Sequence, residues 1–234
     1  DAELREKVTP NFRIGCKRML ISNDYYPALG RDNVDVVTDD ITEVRENSVV
    51  TADGTEREVD AIIVATGFHV TDSPAYETVT GRDGRSLTEV FDEVGQQGYK
   101  GSVVRNFPNM FFMLGPNVGL GHTSMVYMIE SQINYIADAI DTFDRRGLRT
   151  VEVREDVQNK YNRQLQDSMA GSVWLTGGCA SWYLDKHGNN TTLWPDFTFR
   201  FRKLLEKFDL AAYDTTQTTN GARVRADLKV VTAQ

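Results

Sequence analysis

Residues 110–132, MFFMLGPNVGLGHTSMVYMIESQ, constrain the fold more than any other stretch of the chain. From Met125 onward the apolar side chains Val126, Ile129, Ile133, Ile136, Ala137, Ile140 and Phe143 recur every three to four residues, which predicts a long amphipathic helix. Gly147 stands where a C-cap is expected, and Thr123-Ser124 where an N-cap is. Ahead of the helix, residues 109–114 read as a short strand between Pro108 and Gly115, although their Phe and Met content would also suit a helix. Strand, glycine loop and helix in succession indicate an α/β fold. A helix start leaves unpaired N–H groups with a partial positive charge, and glycine lets backbone approach a ligand. The spacing Gly115-Pro116-Asn117, Gly119, Gly121 matches no phosphate-binding consensus. A plain βα loop that needs positive φ angles and a site for an electron-rich ligand group therefore both stand at this point.

The remaining segments sort by period. Residues 1–10 read as the tail of a helix stopped by Pro10, and residues 17–21 as a short strand entered by the adjacent cations Lys17 and Arg18. YYPAL suggests a turn or short helix. Alternating segments around Asp53-Gly54 predict a small β-meander with a hairpin. Residues 59–65 are almost continuously apolar, as in a strand covered on both faces, and Gly67 ends the run. Turn signals from 67 to 108 suggest an interdomain linker with a short helix near residues 88–94. Further on, residues 151–153 suit a strand and residues 156–170 a helix. A short helix follows Trp194-Pro195, the alternation of Phe197, Phe199 and Phe201 reads as core packing, and from Ala211 the tail looks poorly ordered.

Composition narrows the function. A formal charge of −8 over 234 residues lacks the basic footprint of nucleic-acid or anionic-membrane binding. No apolar run approaches the 18 or so residues of a membrane span, so a cytoplasmic protein without membrane partners is expected. Cys16 and Cys179 match no metal spacing and are too few for a disulfide framework, so they read as two reduced thiols and no metal site is expected. Asp1 opens the chain in helix-like sequence and no G-x-G-x-x-G occurs, which suggests that part of a longer protein precedes it.

Four segments, GCKRMLISNDYYPAL, VDAIIVATGF, FPNMFFMLGPNVGLGHTSMVYMIESQ and ASWYLDKHGNNTTLWPDFTFRFR, resemble in their order the second half of Baeyer–Villiger monooxygenases, which are related to the flavin-containing monooxygenases. The resemblance covers about residues 5–210. It implies an α/β flavoprotein with two Rossmann-like dinucleotide-binding domains, of which residues 1–66 finish the NADPH domain. Residues 67–108 return the chain to the FAD domain, and residues 109–210 complete that domain before a tail at 211–234. FAD and NADPH are the implied cofactors, with a ketone and O2 as substrates and the missing N-terminal half as partner.

The same resemblance assigns site residues. Gly115, Pro116, Asn117, His122 and Met125 would lie against the flavin, while Thr66 and Gly67 belong to the A-T-G crossing between domains. Lys17 matches a lysine for the NADPH 2′-phosphate. Arg18 matches the catalytic arginine, a permanent cation suited to holding an anionic C4a-peroxyflavin that attacks the ketone to give an ester or lactone. Trp182 matches a tryptophan on a loop that folds over NADP. An enzyme oxygenating sulfur or nitrogen, and a non-catalytic fragment that needs a partner chain, are the alternatives. The upstream FAD motif, the NADPH glycine motif and the family fingerprint are absent from these residues, so the segment alone is expected to be inactive.

Overall fold

The computed structural model describes residues 1–67, 71 and 73–217. They form two compact units: residues 1–67 with Gly177–Cys179, and the described residues of 71–176 and 180–217.

The first unit opens with α1 (Ala2–Val8), whose start is capped by the Asp1 carboxylate accepting the Glu3 N–H at 2.9 Å. Thr9, which precedes Pro10, is extended, as the proline ring requires, and the helix stops there. After α2 (Tyr25–Leu29) come β1 (Ile41–Val44), β2 (Ser48–Thr51) and β3 (Glu56–Glu58), an antiparallel meander in the order β1-β2-β3. The Asp53 carboxylate fastens the β2–β3 turn by accepting from the Thr51 hydroxyl and from the Thr55 N–H and hydroxyl, and these bonds hold its pKa at about 2.

Three sequence expectations need correction in this unit. Residues 17–21 and 59–65 were expected as strands, yet neither joins a ladder among the described residues. Instead of being covered on both faces, Ile63 and Val64 are 92% and 74% exposed, and Ile21 is fully so. Their apolar character implies sheet neighbours, and none of the described residues supplies them. The cysteines are not separate thiols either: Cys16 and Cys179 form a disulfide across 163 residues of sequence. The Arg13 N–H donates to the Gly177 carbonyl at 2.9 Å and brings the two segments together, a proximity that sequence separation cannot reveal.

The second unit contains α3 (Leu87–Val94), α4 (Met125–Arg146), β4 (Leu148–Val153), α5 (Glu155–Met169), α6 (Val173–Thr176), α7 (Thr198–Leu204) and β5 (Tyr213–Gln217). Residues 73–108 do not stand apart as a linker. Ser86 and Glu89 form a capping box at the start of α3, and Leu87, Phe91, Val104 and Phe107 build a small core there. The main core gathers Met128, Tyr135, Ala139, Val153, Leu165, Phe201 and Tyr213 from α4, β4, α5, α7 and β5, together with Val118 from the loop ahead of α4. Residues beginning at 213 are thus no loose tail, because β5 pairs antiparallel with β4; residues 218–234 lie outside the described ones.

Helix α4 has the expected span, with Gly147 left-handed at its end (φ 62°), but it buries a different face. Met128, Ser131, Gln132, Tyr135, Ala139 and Thr142 point inward, while Val126, Ile133 and Ile140 are 60%, 50% and 45% exposed. The apolar stripe is thus open in part, while its Phe143 packs against the main core and Ile129 and Ile136 are half-buried; Tyr135 and Gln132 lie fully buried on the packed face. Residues 109–114 are not a strand: Asn109 and Leu114 sit at φ 61° and 60°, which breaks an extended run. The Phe alternation also divides, since Phe197 is the extended N-cap of α7 and stacks on Phe199 with ring centres 5.3 Å apart, while only Phe201 turns into the core. Phe201 is fully buried, whereas Phe197 and Phe199 are 62% and 58% exposed.

Candidate functional site

In the second unit, the loop between residues 115 and 124 has a fixed half and an open half. Gly115 has no room for a side chain, because a Cβ would stand 2.5 Å from the Gly101 carbonyl oxygen and 2.9 Å from Phe112 Cβ. At Gly119 a Cβ would meet the Thr192 carbonyl oxygen at 2.8 Å. Pro116, Asn117 and Val118 are buried between these contacts. Asn117 is left-handed (φ 59°), donates its amide to the carbonyls of Asn190 at 2.7 Å and Leu193 at 3.1 Å, and donates its N–H to Thr191. Its side chain is therefore committed to the protein backbone.

The open half comprises Gly121, His122, Thr123 and Ser124, all exposed, and nothing lies within 4 Å of a Cβ built on Gly121. Ser124 occupies the N-cap of α4 without capping it, and no acidic residue lies in the first turn. Thr123 is engaged with His122, whose ring Nδ1 lies 3.1 Å from its hydroxyl. The expected capping pair thus leaves the first-turn N–H groups and their positive partial charge open to a ligand. Met125 follows directly, half-buried against the main core.

Gln132, one side of α4, holds this loop in place. Its amide donates to the Gly101 carbonyl at 2.8 Å and the Ser102 hydroxyl at 3.1 Å, and its carbonyl accepts the Leu114 N–H at 2.9 Å. Deeper in the unit, the Asp209 carboxylate accepts from Tyr99 and Tyr135 and pairs with Lys100 Nζ at 2.8 Å. Burial, then the neighbouring Asp209 charge, pushes Tyr99 above the ordinary tyrosine range, and burial lowers Lys100 against the opposing pull of Asp209. Trp182 is 53% exposed, edge-on to Tyr183 with ring centres 4.6 Å apart.

In the first unit, Lys17 and Arg18 follow the buried Cys16 and are both exposed. Lys17 Nζ lies 5.1 Å from the centre of the Phe12 ring, and Arg18 makes no hydrogen bond or ion pair with the described residues. Two adjacent cations without a carboxylate partner suit an anionic ligand group. Thr66 and Gly67 are exposed, Gly67 with φ 96°.

No protein-family model matches the chain. A Baeyer–Villiger monooxygenase of Pseudomonas aeruginosa is 51% identical to it over 233 residues, 97% of this chain and 44% of the relative. The chain belongs to the Baeyer–Villiger monooxygenase family. A second relative of that name, from Streptomyces coelicolor, is 50% identical over 91% of this chain and 41% of its own length. The chain thus spans less than half the length of these curated relatives. Among solved structures, cyclohexanone monooxygenase from Rhodococcus sp. Phi1 bound to NADP+ is similar with a TM-score of 0.80 and 26% identity, covering 93% of this chain and 42% of that one. Oxidised steroid monooxygenase bound to NADP gives a TM-score of 0.79 over the same shares of the chains, again at 26% identity. The α/β fold of this chain is therefore that of the Baeyer–Villiger and related monooxygenases.

Within that family frame, sequence reasoning missed Gln132, the Asp209 cluster and the cysteine pair. Gln132 had a visible signal, a polar residue on a helix otherwise read by its apolar period. Lys100 had one as well, lying in a Gly-Tyr-Lys-Gly run at residues 98–101. The cysteines had none.

Proposed function

We propose that this chain is the C-terminal part of a FAD- and NADPH-dependent monooxygenase that inserts one oxygen atom of O2 beside a ketone carbonyl. The balance is ketone, O2, NADPH and a proton giving ester or lactone, NADP+ and water. The open N-terminus of α4, behind a loop whose first half is locked at Gly115 and Asn117, carries the reading. It presents N–H donors on a rigid mount, as the electron-rich carbonyl edge of a flavin requires. Bound FAD would supply the redox chemistry that activates oxygen.

The chain's own residues then divide the remaining work. The first turn of α4 binds and orients the flavin edge, with Gly115, Pro116, Asn117 and His122 shaping its seat and Met125 against the ring. Lys17 holds the 2′-phosphate of NADPH. Arg18 holds negative charge on the reacting oxygen without surrendering a proton, since a guanidinium stays protonated at any physiological pH. Trp182 covers the bound nicotinamide nucleotide and excludes water, and Thr66 and Gly67 carry the chain between the NADPH domain (residues 1–66) and the FAD domain. The open stripe Val126, Ile133, Ile140 and the bare residues Ile21, Ile63 and Val64 are faces for the remainder of the parent protein to cover.

The test uses the full-length parent enzyme with cyclohexanone as the probe ketone. NADPH oxidation is expected to accelerate with ketone and yield lactone. Arg18→Ala is expected to lose about 100-fold or more of lactone formation, the scale for removing one stabiliser of a developing anion. Arg18→Ala forming lactone at the wild-type rate refutes the assigned role, and oxygenation of a thioether but of no ketone favours the sulfur-oxygenating alternative.

A further inference from the structure

Each of the two cysteines follows a glycine in the left-handed region, Gly15 at φ 88° and Gly178 at φ 77°. The two segments lie with the cysteine Cα atoms 6.2 Å apart, and the Arg13 N–H donates to the Gly177 carbonyl as a further tie between them. Lys17 and Arg18 come immediately after Cys16. Trp182 comes three residues after Cys179. Apart from the ring contact of Lys17 with Phe12, no side chain among the described residues holds either cation. The disulfide is thus the strongest restraint on the position of the Lys17-Arg18 pair.

We propose that Cys16–Cys179 is a redox-controlled tether that orders the Lys17-Arg18 segment and, resting on the function proposed above, sets the affinity for NADPH. Cys16 is fully buried while Cys179 is half-buried, so an attacking thiolate reaches the Cys179 sulfur. A dithiol reductant attacks there, the S–S bond breaks, and Cys16 leaves as a thiolate that takes up a proton. The second thiol of the reductant then displaces Cys179. The protein disulfide gains two electrons and two protons, and the dithiol becomes a cyclic disulfide. Glutathione disulfide reverses the change through the same exchange, ending as two molecules of glutathione.

The experiment uses the full-length parent enzyme after treatment with glutathione disulfide or dithiothreitol. Three readouts are taken on each form: alkylation mapping of the two cysteines, the rate of trypsin cleavage after Lys17 and Arg18, and KM for NADPH. In the oxidised form both cysteines are expected to resist alkylation. On reduction, cleavage at Lys17 and Arg18 is expected to speed up several-fold, KM for NADPH to rise about tenfold, the scale of leaving one or two long side chains unordered before binding, and lactone formation to slow as well, because Arg18 lies in the same segment. Cys16→Ser and Cys179→Ser should each show the high KM and no response to dithiothreitol. Should either variant fail to fold, the reversible titration of the wild-type enzyme decides alone.

Free alkylation of both cysteines after glutathione disulfide treatment overturns the tether, as does a cleavage rate unchanged by reduction. Faster cleavage with an unchanged KM overturns its link to NADPH. If the oxidised enzyme consumes no NADPH with any ketone, the proposed function fails, and the cleavage rates still judge the tether.

Discussion

Replacing Gln132 with methionine keeps the length and most of the volume of a fully buried side chain but removes every hydrogen bond it makes. The Leu114 N–H and the Gly101 carbonyl, now bonded to it at 2.9 and 2.8 Å, are left without that partner. Each orphaned group costs about 1–3 kcal/mol, and the better burial of a thioether returns about 1–2 kcal/mol. For the two groups together the cost is about 2–6 kcal/mol, and the net loss centres on about 2–3 kcal/mol. Leu114 leads straight into the locked Gly115, so the loss falls on the mount of the loop ahead of α4. If that loop must be ordered before flavin binds, the whole amount appears in FAD affinity, which should weaken about 30- to 140-fold at about 1.4 kcal/mol per factor of ten. The assay is the equilibrium FAD dissociation constant of the full-length Gln132→Met enzyme, followed by recovery of free-flavin fluorescence, with the melting temperature of the apoenzyme as a control for general damage. FAD affinity within about threefold of wild type would refute the role given to Gln132, since threefold corresponds to under 1 kcal/mol.

Other outcomes follow from the same contacts. Lys17→Ala should raise KM for NADPH about 10- to 100-fold, the worth of one charge-assisted contact, and leave NADH use unchanged; an equal effect on both cofactors would remove Lys17 from the phosphate site. Asp209→Asn strands the buried Lys100 cation; because the Asp209 side chain is 37% exposed, water softens the loss, and destabilisation of about 2–4 kcal/mol is expected in thermal melts, partly recovered by Lys100→Met in the same background. The Tyr161 hydroxyl is buried without a partner among the described residues, so Tyr161→Phe should stabilise by about 1 kcal/mol, and a lower melting temperature would show that the hydroxyl is satisfied after all. Burial raises Tyr99, Tyr135, Tyr161 and Tyr213 above their ordinary value of 10.0, so the folded state keeps protons that the unfolded chain releases. Their contribution to stability is therefore complete below pH 10 and is lost as pH rises beyond it, by up to about 1.4 kcal/mol per pH unit for each tyrosine. Urea midpoints should be flat with respect to these groups up to about pH 10 and fall steeply above it.

What the sequence revealed depended on whether local chemistry or distant packing decided the outcome. Local signals held: Pro10 stopped α1, Asp53 made its turn and Gly147 ended α4. Where a partner lies far along the chain, the local pattern misled. Ile133 and Ile140 looked like core by count, yet the buried face of α4 is set by Tyr135, which reaches Asp209 and Tyr213 more than 70 residues away. Residues 59–65 read as a buried strand from their composition, yet Ile63 and Val64 are exposed among the described residues. The candidate site divides in the same way. Lys17, Arg18 and the glycine loop were legible from residue type and from the family resemblance, while the open helix start appears only when Ser124 is seen to leave it uncapped.

The pairing of β4 with β5 bears on the order in which the protein can assemble during synthesis. Thr150 and Thr216 face each other across that ladder, 66 residues apart. At about 5–20 residues per second, α4 and β4 leave the ribosome roughly 3–13 s before the strand that covers them. During that interval Tyr135 lacks both of its hydroxyl partners, Asp209 and Tyr213, and the backbone N–H and C=O groups along the β5-facing edge of β4 are unpaired. A nascent chain held at this stage has its long helix made but its floor missing, which makes it a natural client for a chaperone until residue 217 has emerged.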